Sequence, residues 1–244
     1  MPKDHVKSAA EGSAAKPPRE PVATAADHRV IRLHRRIMLA PPGALKRQRY
    51  GATVHQSHLQ QGDLDSACGP HCVITALCLL GILSGSDLQK MTDGKSRGRH
   101  RRFWRLVRDY YFTGATGANL RRMLEPLKGE IAVTVNRTNG TPVLAFALAQ
   151  LSAERLVLLC IANGRAGLNH WVLAVGVEGR DHRGKFSVEH LLLLDPSRPA
   201  IPLAAWNSLL AVDKARGKRT YRVTDQSDDS LHVALIAALA IGRK

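Results

Sequence analysis

The stretch QQGDLDSACGPHCVITALCLLG, residues 60–81, decides how this chain is read. From Cys72 to Leu83 almost every position is apolar, Thr75 and Gly81 excepted. A helix apolar all round is a buried one. Asp65 or Ser66 is placed to cap its N-terminus, Pro70 is tolerated in a first turn, and Gly81 and Gly85 suit its end. Cys68 therefore stands at the mouth of the most hydrophobic segment of the chain, where unpaired N–H groups favour negative charge. Two kinds of role follow. Cys68 is a small buried hydrophobe or metal ligand, or it is a nucleophile.

Working outward, residues 1 to about 28 are rich in Ala, Pro, Ser and charge and lack periodicity, which predicts disorder. Residues 29–50 interleave arginines and lysines with Val30, Ile31, Leu33 and Ile37, as a basic linker or a short docking strand would. Residues 1–50 thus read as a basic tail and linker, and 51–244 as one domain. Within that domain helices come first: the buried one, an arginine-rich one over 97–108, another over 118–127 and one over 142–152. A short strand is predicted over 131–135. Then LVLLCIA (156–162), HWVLAVGV (170–177), HLLLLD (190–195) and TYRVT (220–224) read as strands, while HVALIAALAI (232–241) suits a strand or a terminal helix. Helices followed by a mostly antiparallel sheet predict an α+β fold.

A thiolate nucleophile needs a depressed pKa, a base and donors for the oxyanion. Gly69 leaves space beside Cys68, the Cys68 N–H offers one oxyanion donor, and Gln61 or Gln60 offers another. His170 opens a clear strand, with its ring beside a loop. Asp195 ends the next apolar strand, and in an antiparallel hairpin that end lies near the start of the previous strand. So Asp195 can orient the His170 imidazole.

QQGDLDSACGPHCVITAL resembles the Gln…Cys-Gly segment of papain-like cysteine peptidases, and most nearly the C39-like, bacteriocin-processing branch. LNHWVLAVGVEG is similar to the papain-type histidine motif, and LLLLDPS to the C39-like strand that ends in Asp-Pro. The resemblance covers about residues 54–200. It implies a papain-like α+β fold, a helical half with the nucleophile helix packed on an antiparallel sheet half. It also implies hydrolysis of a peptide or isopeptide bond through an acyl-thioester, with no cofactor. Cys68 would be the nucleophile, His170 the base, Asp195 the orienting group and Gln61 the oxyanion donor. No exporter segments follow, so the expectation is a free-standing peptidase.

Other roles stay open. The same apparatus can pass an acyl group to an amine, as an acyltransferase or transglutaminase-like enzyme does. Cys68, His71 and Cys72 share a helix face, with His55 and His58 upstream, so a zinc site is a rival, although the spacing matches no standard module. A net charge of +16 asks for an anionic partner. Arg97, Arg99, Arg101, Arg102, Arg105 and Arg108 lie along one helix without an acid among them. They make an acidic protein or nucleic acid the candidate partner of a catalytically idle domain; the plainer reading is a solvated face. Four cysteines do not make a disulfide scaffold in a chain of 244 residues. No signal peptide or spanning segment is visible, so the expected location is the cytoplasm, with a secreted effector as the variant in which the tail directs export.

Overall fold

The computed structural model describes residues 28–40, 43–46, 58–62, 65–163, 168–201, 204–214, 220–225 and 230–244. Most of the tail expected to be disordered lies outside these, as do 47–57 and with them His55. Within the segment read as a linker, β1 (His28–Leu33) pairs with the main sheet, and β2 (Ile37–Ala40) with β3 (Gly43–Lys46) forms a small hairpin.

The apolar segment forms helix α1 (Cys68–Leu79), which starts at the cysteine itself. Then come α2 (Gly85–Thr92), α3 (Gly98–Arg108), α4 (Gly117–Leu124) with a 3₁₀ turn at Glu125–Leu127, β4 (Ile131–Asn136) and α5 (Thr141–Ser152). Helix α2 was not expected, though Ser84 and Asp87 form a reciprocal capping box at its start. The rest is strand: β5 (Leu156–Asn163), β6 (Leu168–His182), β7 (Lys185–Leu194), β8 (Ser208–Lys214), β9 (Tyr221–Asp225) and β10 (Ser230–Arg243).

The expected papain-like arrangement, a helical half laid on an open sheet half, does not form. Strands β6, β5, β10, β9, β8 and β7 pair in that order, all antiparallel, and β7 pairs back to β6. The sheet is a closed six-stranded barrel. Closure turns on β8, which bridges β7 to β9, and on residues 232–241 being strand rather than helix. It removes the free edges that an open sheet leaves exposed. The two longest strands outrun their neighbours. β1 covers the overhang of β6 beyond β5, and β4 covers the overhang of β10 beyond β9.

Two cores explain why the strands read as continuous apolar runs. Leu156, Leu158 and Cys160 of β5 face the helices, in a cluster with α1, α3 and α4. Val157, Leu159 and Ile161 face the barrel interior, where Leu159, Val172, Leu193, Leu210, Val223 and Leu235 bring one residue from each strand. Helix α5 adds Val143, Leu144 and Ala147 to this set. Strands buried on both faces cannot alternate apolar with polar. Among the described residues no helix is long and apolar enough to cross a membrane.

The barrel bends at bulges between Ala174 and Gly176 and between Glu178 and Gly179 of β6. Here β1 and β7 press so closely that a Cβ on Gly176 would lie 2.5 Å from the Arg32 carbonyl, and one on Gly179 would overlap the Ser187 carbonyl. Gly179→Ala should therefore lower the unfolding free energy by about 1–3 kcal/mol. Gly85→Ala, whose new methyl meets nothing within 4 Å, should change it by less than about 0.5 kcal/mol. Urea denaturation of both variants reads the difference.

Candidate active site

Ala67 is the N-cap residue of α1, its side chain cannot cap, and neither Asp65 nor Ser66 caps the helix either. Asp65 instead takes the N–H groups of Gly62 (2.8 Å) and Ala67 (3.0 Å), and so shapes the loop that carries Gln61. No acid sits in the first turn of α1. The positive end of the helix is left facing the Cys68 thiol.

Helix α1 crosses β6 at Trp171. The Trp171 N–H donates to Cys68 Sγ (3.5 Å), and Cys72 Sγ–H, one turn on, donates to the Trp171 carbonyl (3.3 Å). The indole N–H donates to Ala115 O (2.8 Å). Gly69 serves this crossing. A Cβ there would meet Leu120 Cδ2 at 2.9 Å and Trp171 Cδ1 at 3.3 Å, so its missing side chain admits the packing of α1 rather than a substrate.

Because Trp171 is fixed to α1, His170 before it is fixed beside Cys68. The two side chains are close enough for each to shift the other's pKa. His170 Nε2–H donates to Asp195 Oδ1 (2.7 Å), which leaves Nδ1 for the thiol. The same carboxylate oxygen accepts the Ser197 N–H (2.8 Å) and hydroxyl (2.7 Å). Asp195 is itself held by Asn207, a buried residue that the sequence reading passed over. Its Oδ1 accepts the Asp195 N–H (2.7 Å) while its amide donates to the carbonyls of Asp195 (2.9 Å), Arg198 (3.1 Å) and Pro199 (3.2 Å). The signal is faint: one asparagine just ahead of β8, a strand that was itself unread.

Cys68, His170, Asp195 and Gln61 line one cleft of about 610 Å³, whose walls also include Ile161, Val223, Leu231 and Val233 of β5, β9 and β10. Gln60 is exposed and does not line it. The Gln61 N–H donates to Pro196 O (2.8 Å) and its amide to Asp65 O (3.2 Å), while its Oε1 is buried without a partner.

Electrostatics single out Cys68. Burial alone would raise its pKa, but the hydrogen bond and charge of His170, with the N–H groups of Trp171 and Gly69, bring it below the ordinary thiol value. Burial works against the His170 charge, yet the bonds to Asp195 and Cys68 outweigh it and raise the imidazole to about 10. Asp195 is lowered: its burial penalty is overcome by His170 and Ser197. Both shifts run in the direction of a thiolate–imidazolium pair. In contrast, burial raises Cys72 well above the thiol range and Cys160 to about 11. All four cysteines are free.

The zinc alternative finds no support in the geometry. Among the described residues no three His, Cys, Asp or Glu side chains converge as a metal site. His71 turns to Asp65 (3.8 Å) and the ring of Tyr111, and Cys72 to Trp171. The arginines of α3 lie apart from the cleft. Arg99 pairs with Glu130 (3.0 Å), Arg97 borders a recess with Lys90, Lys95 and His100, and the other four line a groove of their own. No protein-family model matches the chain, and no curated protein matches its sequence.

Two outcomes test this electrostatic arrangement. Alkylation of Cys68 by iodoacetamide should begin its climb at lower pH than that of an ordinary thiol, whose rate rises steeply toward about pH 8.5. His170→Ala should return the climb to the ordinary range, as mass spectrometry of the labelled peptide would read. Asn207→Ala should cost about 1–3 kcal/mol, because it strands the buried Asp195 N–H, and should also slow Cys68 labelling near neutral pH. Linkage gives the signs. The lowered Asp195 contributes stability above the ordinary carboxylate range, and this is lost as pH falls through its folded value. The raised His170 contributes fully below its ordinary value of 6.5, and this is lost as pH rises through about 10.

Proposed function

We propose that the chain is a cysteine peptidase that cleaves a peptide or isopeptide bond through an acyl-thioester. The observation that carries the proposal is the opposite displacement of two pKa values in one cleft, a thiol lowered and its imidazole partner raised. Structural ion pairs shift pKa values too, but a pair set at a helix N-terminus in an open cleft is the arrangement nucleophilic catalysis needs. The motif resemblance to C39-like peptidases supports the roles and their order along the chain; it does not extend to the architecture.

In this mechanism His170 takes the Cys68 proton, a transfer that the lowered thiol and raised imidazole both favour. The thiolate attacks the scissile carbonyl carbon, a C–S bond forms, and the carbonyl electron pair moves to oxygen. The Cys68 N–H and the Gln61 amide stabilise that oxyanion. As the C–N bond breaks, His170 protonates the leaving amine. Neutral His170 then takes a proton from water, hydroxide adds to the thioester, and Cys68 leaves as thiolate. Asp195 keeps the imidazole oriented throughout. The free thiols fit a reducing compartment, and we place the enzyme in the cytoplasm.

Turnover should fall in acid as Cys68 and Asp195 gain protons, and should fall again as pH rises through about 10, where His170 loses the proton it must donate. Incubation with a proteome-derived peptide mixture, read by mass spectrometry, tests the reading. Wild type should release new termini, and Cys68→Ala should be slower by about a thousandfold or more. Amide-linked products on adding a primary amine, without new termini in its absence, would make the chain an acyltransferase. A Cys68 that labels no faster than Cys78 would end both readings.

A further inference from the structure

Helix α3 carries more positive charge than its own structure rewards. Arg105 and Arg108 lie in its last turn, where the helix dipole favours cations. Arg101 and Arg102 lie nearer the N-terminus, where it does not, and no acid sits in the first turn. Arg101 and Arg105 are four residues apart, and Arg102, Arg105 and Arg108 three, so like charges face one another. Among the described residues none of these four makes an ion pair. All four side chains, with Trp104, Thr92, Gly94 and Ser96, line a groove of about 560 Å³; Asp93 of the same loop is not in its lining and pairs with Lys95 (3.5 Å).

The groove is separate from the cleft but joined to it by packed side chains and a short stretch of chain. Trp104 meets Tyr111 edge to face (6.0 Å between ring centres), and Tyr111 meets His71 of α1 in the same way (5.5 Å). The Tyr111 carbonyl accepts the Ser66 N–H (2.9 Å), and Ser66, Thr113, Gly114 and Ala115 all line the cleft. Phe112, 77% exposed, lies on the path between them. From Arg108 to Thr113 the chain spans at most about 18 Å.

Resting on the peptidase reading, we propose that this groove is a substrate-recognition site for a short acidic segment of the polypeptide whose bond is presented to Cys68. Arg101 to Arg108 spans about 10 Å of helix, the length of three extended residues. Carboxylates at that spacing meet the guanidinium groups, and an apolar residue beyond them meets Phe112. A groove confined to one face of an eleven-residue helix, with only a few residues of chain between it and the cleft, fits such a segment better than it fits a nucleic-acid strand, which tracks a longer basic surface.

The test uses chloroacetamide peptides with a run of glutamates, a spacer of about five residues and the electrophile at either end, against glutamine counterparts. The Cys68 thiolate displaces chloride, so labelling reports delivery to the nucleophile. At low salt one glutamate probe should label Cys68 about tenfold faster than its glutamine counterpart. That advantage should vanish in high salt and in the exposed-residue variant Arg101→Gln/Arg105→Gln/Arg108→Gln, while iodoacetamide labelling of the variant stays at the wild-type rate. Equal labelling by both probes, with iodoacetamide still fast, overturns the acidic-segment site and leaves the peptidase reading standing. Fluorescence anisotropy of a labelled glutamate peptide reads the groove without the thiol, so an unreactive Cys68 does not obscure the result. Tighter, arginine-dependent binding of a single-stranded oligonucleotide than of the glutamate peptide also overturns the proposal.

Discussion

The crossing of α1 over β6 at Trp171 is the contact on which the site depends. Three hydrogen bonds and a close approach converge there: the Trp171 N–H on Cys68 Sγ, its carbonyl on Cys72, its indole on Ala115, and Gly69 against its ring. Each would tolerate slippage alone. Together they fix both the rotation of α1 and its height along the strand. Since His170 precedes Trp171, the same contacts set the distance between thiol and imidazole. The nucleophile is thus positioned by buried packing, and its imidazole partner is tied to Asp195.

Burial is the largest single influence on Cys68, His170 and Asp195, and it opposes ionisation of all three. The arrangement survives because each charge has a partner or a fixed dipole: the thiolate has the imidazolium and two backbone N–H groups, the imidazolium has the carboxylate, and the carboxylate has Ser197. Removing one member leaves the next charge buried and uncompensated, which costs far more than the lost bond alone. Asn207 belongs to the same logic one step back. It carries no charge, but it fixes the turn after β7 that aims the carboxylate.

Much of the site was legible because Cys68, His170 and Asp195 each stand at the end of a strongly apolar segment, where a polar residue is conspicuous. The architecture was less so. SLLAVDK of β8 is short and carries an Asp and a Lys, so it reads as loop, and without it β7 and β9 have no reason to meet. HVALIAALAI has no period because β10 is buried on both faces and paired along its length by β5, β9 and β4. Asn207 gave no pattern at all. Its role exists only once the chain turns at 195–199 and gathers three carbonyls around it.

Closure of the barrel changes what a substrate would meet. In an open helix-on-sheet arrangement the cleft is bounded by the two halves that supply the nucleophile and the base. Here the wall facing Cys68 is the rim of a barrel, and Ile161, Val223, Leu231 and Val233 come from β5, β9 and β10. These strands contribute no member of the Cys68–His170–Asp195 set. Reactivity therefore rests on α1 and the β6–β7 hairpin, while the shape and polarity of the cleft rest in good part on β9 and β10, which do not pair with β6 or β7. The two are separable in this fold because a closed sheet holds β6 and β7 in register from both sides. Changes at Val223, Leu231 and Val233 need not reach His170, whereas Ile161 is its direct partner across β5 and β6.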